Sequence, residues 1–168
     1  MEQRIVVVRL GETRGLAATQ CIEAGELLFR INGEHTSYPT RYSVQVGSEE
    51  HIDLDPTVSA EVILDKFYWR FMNHHCEPNS MIKGQEVYAV RTIYPREAIT
   101  YNYNTTEAEL AEPFLCHCGS SHCKGLIQGF NHLTITDRQT LGPLLAPHLV
   151  PLLETAPQPV ARSGGNED

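Results

Sequence analysis

Long apolar runs are missing from this chain of 168 residues. None approaches the roughly 18 residues that suggest a membrane span. The opening stretch, Met1–Val8, lacks the basic start and extended apolar centre of a secretory signal, so export is not expected. Basic side chains are scarce, with 13 Lys plus Arg against 21 Asp plus Glu and a net charge of −8. That balance argues against nucleic acid as the main partner and suits a basic substrate, although simple solubility accounts for it equally well. No internal repeat is visible. With no export signal, the five cysteines are expected in a reducing compartment, cytoplasmic or, in a eukaryote, nuclear. There, closely spaced thiols favour a metal over a disulfide.

What is present is ordinary in bulk and specific in two places. A hydrophobic content of 41% over this length fits one globular domain with a real core. The first specific place is Arg70–Asn79, which sets Asn73, His74, Cys76, Pro78 and Asn79 within ten residues. Pro78 fixes φ and Asn79 tolerates turn geometry, so a polar turn around a buried cysteine is one sufficient reading. The second place is Cys116, Cys118 and Cys123, a C-x-C-x4-C knot. Three thiols do not close a tetrahedral zinc (Zn) shell, and Cys76 is the obvious fourth ligand. Redox thiols, or a shell completed by His117 or His122, are the alternatives. Cys21 is left over.

Arg70–Asn79 is similar to the N-H-x-C-x-P-N signature of SET-domain protein lysine methyltransferases. Cys116–Gly125 looks like the post-SET zinc segment of that family, and Ala98–Tyr103 resembles its E-L-T-x-D-Y element. The three come in the family's order and span roughly residues 5–130. This resemblance implies a mainly β chain with short helices: the SET-domain fold, a β-clip with a pseudoknot, followed by a zinc segment. Expected boundaries are 1–110 for the SET domain, 111–130 for the post-SET segment, 131–156 for a helical extension and 157–168 for a disordered tail.

The elements expected from local pattern are mostly short. Ile5–Leu10 reads as a strand and Gly11–Gly15 as a turn. Gly25–Gly33 reads as a strand, and Arg41–Gly47 pairs with His51–Asp55. An amphipathic helix is expected within Ala60–Phe71, delivering Asn73 and His74 to their turn. Met81–Val90 and Arg91–Thr100 read as a hairpin and a further strand. Leu141–Leu153, with Pro143, Pro147 and Pro151, reads as a short or broken helix.

The resemblance also implies roles. The cofactor is S-adenosylmethionine, and the acceptor is the ε-amine of a lysine in a protein or peptide, histone or not. Tyr103 takes the place of the tyrosine that orients the amine and contacts the methyl. Tyr101 takes the place where Phe or Tyr tunes how many methyls are added. If both belong to one strand, they share a face. Asn73 and His74 resemble the cofactor-binding pair; Arg14, Gly15, Phe114 and Leu115 are further candidates for contacting it. A closed, structural zinc site would use Cys76, Cys116, Cys118 and Cys123. Three positions depart from the pattern: Thr13 stands at the first glycine of G-x-G, Asn102 at the usual Asp, and His75 at a common Ser. Two other readings compete, a SET-like enzyme on a small molecule and a non-catalytic module that keeps the fold and the zinc.

Overall fold

The computed structural model describes residues 3–159. β-Branched Ile5–Leu10 forms β1, and the chain reverses at Gly11 into β2, Thr13–Ala18. The turn expected over Gly11–Gly15 is thus shorter. Thr13 already pairs with Leu10, and its hydroxyl donates to the Leu10 carbonyl at 3.0 Å. Next come β3 (Leu27–Arg30), β4 (Glu34–Thr36), β5 (Val44–Gly47) and β6 (Glu50–Asp53). The expected β5–β6 hairpin is present, whereas the short polar β4, paired with β6, has no apolar alternation to announce it.

The expected helix divides. Helix α1 covers Ala60–Lys66, begun by the Ser59 side chain accepting from the Val62 N–H, and a 3-10 turn covers Tyr68–Phe71. Trp69 of that turn is buried and its indole N–H donates to the Asn32 carbonyl at 3.0 Å, pinning the turn to the core. The turn ends directly before β7, Asn73–His74. Strands β8 (Ser80–Lys83) and β9 (Glu86–Ala89) form a hairpin through Gly84, and β10 covers Ala98–Tyr101.

Three small sheets result, ordered β1-β2-β10-β7, β3-β9-β8 and β4-β6-β5. They enclose a core that includes Leu16, Ile22, Ile31, Ile52, Trp69, Ile82, Val87, Ile93, Ile99 and Tyr101. The interlock expected of the fold is built around β10. It runs antiparallel to β2 on one side and parallel to β7 on the other, with Thr100 opposite Asn73 and Tyr101 opposite His74. The chain then returns past the same strand. The Asn79 carboxamide donates to the Ala98 carbonyl at 2.7 Å and accepts from the Thr100 N–H at 3.0 Å. One asparagine side chain so replaces a ladder step where the two segments cross.

After β10 a 3-10 turn covers Tyr103–Thr105, and β11 (Phe114–Leu115) pairs with β12 (Leu126–Ile127) to form a two-stranded ribbon. The stretch expected as a short or broken helix over Leu141–Leu153 is two 3-10 turns, Gly142–Leu144 and Pro147–Leu152. The α-helix itself, α2, lies ahead of it at Ile135–Leu141, begun by the Thr134 side chain accepting from the Asp137 N–H. The apolar residues of this C-terminal part form a second cluster of Phe130, Leu141, Leu145 and Leu149. Of the tail expected over 157–168, residues 160–168 lie outside the described residues, and the Gln158 N–H donates to the Asn131 carbonyl at 2.8 Å. Among the described residues no helix is long and apolar enough to cross a membrane.

Candidate functional site

The interlock delivers its polar side chains to one cavity of about 1140 Å³. Of the catalytic and cofactor candidates singled out from sequence, Arg14, Asn73, His74, Tyr101, Tyr103, Phe114 and Leu115 line it, and Cys116 and Cys118 of the knot reach its edge. Gly15 does not. It sits beneath the wall, where an added Cβ would come 2.6 Å from Leu10 Cδ1 and 2.9 Å from Asn73 Nδ2. A glycine here lets β2 press against Asn73, whose side-chain amide donates to the Arg14 carbonyl at 3.0 Å. The Asn73 amide thus fastens the early loop to the Asn-His turn.

Tyr101 and Tyr103 do not share a strand face, because β10 ends at Tyr101. Asn102 starts the 3-10 turn, its side-chain oxygen accepting from the Asn104 N–H at 3.1 Å. Its NH2 end reaches the Cys76 carbonyl at 3.5 Å. An aspartate could cap the turn but could not donate to that carbonyl, so the departure at 102 has a local use. The turn still brings the two phenol rings within 4.8 Å of one another. The Tyr103 hydroxyl donates to the Met72 carbonyl at 2.8 Å, so toward the cavity its oxygen is left as an acceptor. Burial first, then the charge of Glu107, pushes its pKa well above the ordinary phenol value. The Tyr101 phenol is likewise raised, by burial and then by Tyr103 and Glu107.

His74 joins this site to the cysteines. Its Nδ1 accepts from the Tyr103 N–H at 3.1 Å, which puts the ring proton on Nε2, and Nε2 lies 3.3 Å from Cys76 Sγ. Burial, with the neighbouring His75 adding to it, lowers the ring's pKa to about 4, so it is neutral. Phe114 packs edge-on against the rings of both His74 and Tyr103, at 5.6 and 5.8 Å.

The sulfurs of Cys76, Cys116, Cys118 and Cys123 all lie within 4.8 Å of one another. A tetrahedral zinc with Zn–S bonds of about 2.3 Å needs its sulfurs roughly 3.8 Å apart, so a small contraction would close the shell. The donor chemistry fits as well. Burial pushes the thiols of Cys76 and Cys116 up to about 12 and 11. Burial also opposes ionisation at Cys118, but hydrogen bonds outweigh it and bring that thiol down to about 6. Opposed shifts of this kind among neighbouring thiols are what crowding negative sulfurs without a cation produces; a central dication would let all four ionise. His122 and Ser120 turn away from the sulfurs to Glu77, at 2.8 and 2.6 Å, and make a second stitch between the knot and the Asn-His turn. Cys21 is exposed and lies outside the cluster.

Two lining residues carry chemistry that sequence reasoning did not single out. Arg70 lies 3.8 Å over the Tyr42 ring, and its Nε and Nη1 are buried without a hydrogen-bond partner among the described residues. A cation left open in this way suits an anionic group such as an amino-acid carboxylate. Its position inside the Arg70–Asn79 motif was the available signal. Glu107 is a buried carboxyl on the same wall, and nothing in its sequence surroundings marked it.

A family model for the SET domain matches residues 13–104. A histone-lysine N-methyltransferase of Chaetomium globosum, H3 lysine-36 specific, is 31% identical over 146 residues, covering 77% of this chain and 16% of that protein. An H3 lysine-4 specific histone-lysine N-methyltransferase of Cryptococcus neoformans is 31% identical over 130 residues, covering 68% of this chain and 9% of that protein. The chain thus spans less than a fifth of the length of these curated relatives. Among solved structures, KRYPTONITE in complex with mCHH DNA, H3(1-15) peptide and SAH superposes with a TM-score of 0.54 at 20% identity, over 75% of this chain and 30% of that one. At that identity the likeness establishes the fold.

Proposed function

This chain belongs to the SET-domain family, and on that premise we propose that it is an S-adenosylmethionine-dependent methyltransferase acting on the ε-amine of lysine in a protein or peptide. The observation that carries the reading is the pair of tyrosine rings, 4.8 Å apart, on the wall that also holds Asn73 and His74. The net charge of −8 favours a basic acceptor, consistent with the H3 specificity named for the relatives. A reducing compartment, cytoplasmic or nuclear, follows from the use of thiols.

The methyl donor, when bound, supplies a methyl on a cationic sulfur. Arg70 would receive the donor's carboxylate, with Arg14, Asn73, His74 and Phe114 forming the wall around it. The acceptor poses the harder problem. Free lysine has a pKa of about 10.4, so almost none of it is neutral near pH 7. Apolar walls and a nearby positive charge both favour the neutral amine. Tyr103, its own proton committed to the Met72 carbonyl, presents an oxygen acceptor that orients the amine and eases charge at the methyl. Tyr101, buried beside it, limits the room left for added methyls.

Zinc would be held by Cys76, Cys116, Cys118 and Cys123 and would act by structure alone, since a closed thiolate shell leaves no open position. Its link to the chemistry is His74, which would donate to the Cys76 thiolate while accepting from the Tyr103 backbone. That ring keeps Tyr103 in register with the knot.

Incubation with methyl-labelled S-adenosylmethionine and lysine-rich proteins tests the reading. Labelled lysine is expected, and Tyr103→Phe should lose roughly 10²–10³-fold in rate while staying folded, its melting temperature lower by only a few degrees for the lost bond to the Met72 carbonyl. An absence of cofactor binding by calorimetry, together with no labelling across varied proteins, overturns it.

A further inference from the structure

One buried ionisable group on the cavity wall has no part in the scheme above. The side chain of Glu107 is 4% exposed. Its backbone N–H donates to the Tyr103 carbonyl at 2.9 Å, so it follows directly from the turn that places that phenol. Oε1 is held twice, by the Gln45 N–H at 2.9 Å and by the Thr106 hydroxyl at 3.1 Å. The Gln45 carboxamide accepts from the Ala108 N–H at 2.8 Å, so one residue of β5 brackets Glu107 on both sides. Oε2 faces Nδ1 of His51 at 3.9 Å, beyond hydrogen-bond reach, and that nitrogen is buried with no partner among the described residues. The carboxyl is therefore positioned and half-satisfied.

What surrounds Glu107 lacks a counter-charge. Tyr101 and Tyr103 face it from β10 and the turn beyond. His51 faces it from β6, with its pKa lowered by burial and then by nearby His148 of the C-terminal segment. Among the described residues no lysine or arginine pairs with it, and burial raises its pKa to about 7. An unpaired buried carboxyl is expensive to keep in a core. One that opens on a cavity whose proposed acceptor arrives as a cation has a use.

We propose that Glu107 is the cation receptor and proton acceptor of this cavity: its carboxylate takes the incoming aliphatic ammonium and removes one proton before methyl transfer. This rests on the amine-methylating reading and assigns a group to the deprotonation which that reading requires. In the step, one N–H bond of the ammonium breaks and its electron pair stays on nitrogen as the lone pair. An O–H bond forms on the carboxylate, giving a neutral amine and a neutral carboxylic acid. The amine then attacks the methyl, the product leaves with its positive charge, and Glu107 returns its proton to water between turnovers. The site would select aliphatic amines over neutral side chains of the same shape.

The test is binding, which requires no turnover. Calorimetry on the full chain compares N-acetyl-lysine amide with its uncharged isostere N-acetyl-norleucine amide, between about pH 5.5 and 8.5, with and without S-adenosylhomocysteine. The wild type should prefer the lysine probe by about tenfold or more at the alkaline end. That preference should fade as the pH falls through the Glu107 transition. Glu107→Gln should bind both probes alike at every pH, with norleucine affinity unchanged. His51→Gln should keep the wild-type curve, which separates Glu107 from its titratable neighbour. A lysine preference that survives in Glu107→Gln, or is flat with pH in the wild type, overturns the proposal. If Glu107→Gln does not fold, the wild-type and His51→Gln curves decide. A wild type that fails to bind S-adenosylmethionine sinks the methyltransferase reading, while amine selectivity is still scored by the probe pair without cofactor.

Discussion

Two segments leave the body of the domain after Tyr103, and each is fastened back onto it by a different chemistry. The ribbon and its cysteines, residues 114–127, have little core of their own. From Phe114 to Ile127 only Cys116 and the final Ile127 are buried, and Leu115 and Leu126 stand exposed. The C-terminal extension instead brings an apolar cluster and the fully buried Arg138. The Arg138 guanidinium donates to the carbonyls of Phe130, Asn131, Leu152 and Thr155 at 2.7–3.2 Å and lies 4.7 Å over the Phe130 ring. No carboxylate pairs with it among the described residues, so its charge is met by carbonyl dipoles and a ring face. A segment too short to bury much apolar surface needs a metal; one that buries four large side chains can close on a single buried cation.

That contrast is open to breaking. Removal of zinc with a chelator should have the largest effect. Structural zinc contributes on the order of 10 kcal/mol in small zinc-bound folds, so the knot has nothing comparable to fall back on. Exchange of the Cys116 amide, which donates to the Gly125 carbonyl at 2.7 Å, should become fast. Cofactor binding should be lost with it, because Phe114 and His74 lean on the knot. The Ala146 amide, bonded to the Thr105 carbonyl at 2.8 Å, should stay protected. Joint loss of both protections would show one fastening instead of two. Elemental analysis should find one zinc per chain.

Arg138→Met is the complementary break. It keeps much of the stem volume but takes a charged donor from four carbonyls; those of Phe130, Asn131 and Leu152 keep a backbone N–H and that of Thr155 is left alone, at a cost of roughly 1–3 kcal/mol. The Ala146 amide should now exchange quickly while the bound zinc is retained. Retention of full stability would mean that the leucine cluster alone holds the extension.

The two fastenings also differ in how legible they were. The cysteine set stood out because thiols at C-x-C-x4-C spacing are rare and because Cys76 sits inside a recognisable motif. Arg138 gave no sign: its partners are backbone carbonyls on either side of it in the chain, and carbonyls have no sequence signature. Gly129 was equally silent, although at φ +110° an added Cβ would meet the Ala108 carbonyl oxygen at 2.6 Å. Within the site, Tyr101 and Tyr103 were placed together for the wrong geometric reason, since Asn102 ends the strand between them and the turn restores the proximity. Glu107 was missed because burial of a lone carboxyl is decided by Gln45, 62 residues away in sequence, which meets it only in the folded chain. Local pattern found most strands, whereas contacts between distant segments decided the rest.

The smallest prediction asks whether the two fastenings cooperate. Lys124 of the knot and Asp137 of α2 meet at 2.5 Å, with about a third of each side chain in solvent. An ion pair so placed is screened and is worth about 0.5 kcal/mol, less at high salt. Lys124→Ala should therefore lower the melting temperature by only about 1–2 °C and leave both zinc retention and Ala146 protection intact. Combined with Arg138→Met, its cost should add to within about 0.5 kcal/mol, as expected for sites that share no partner. A larger coupling would mean that the extension braces the knot through this contact. The metal and the guanidinium would then be two ends of one clamp around the segment that carries Tyr103 and Glu107.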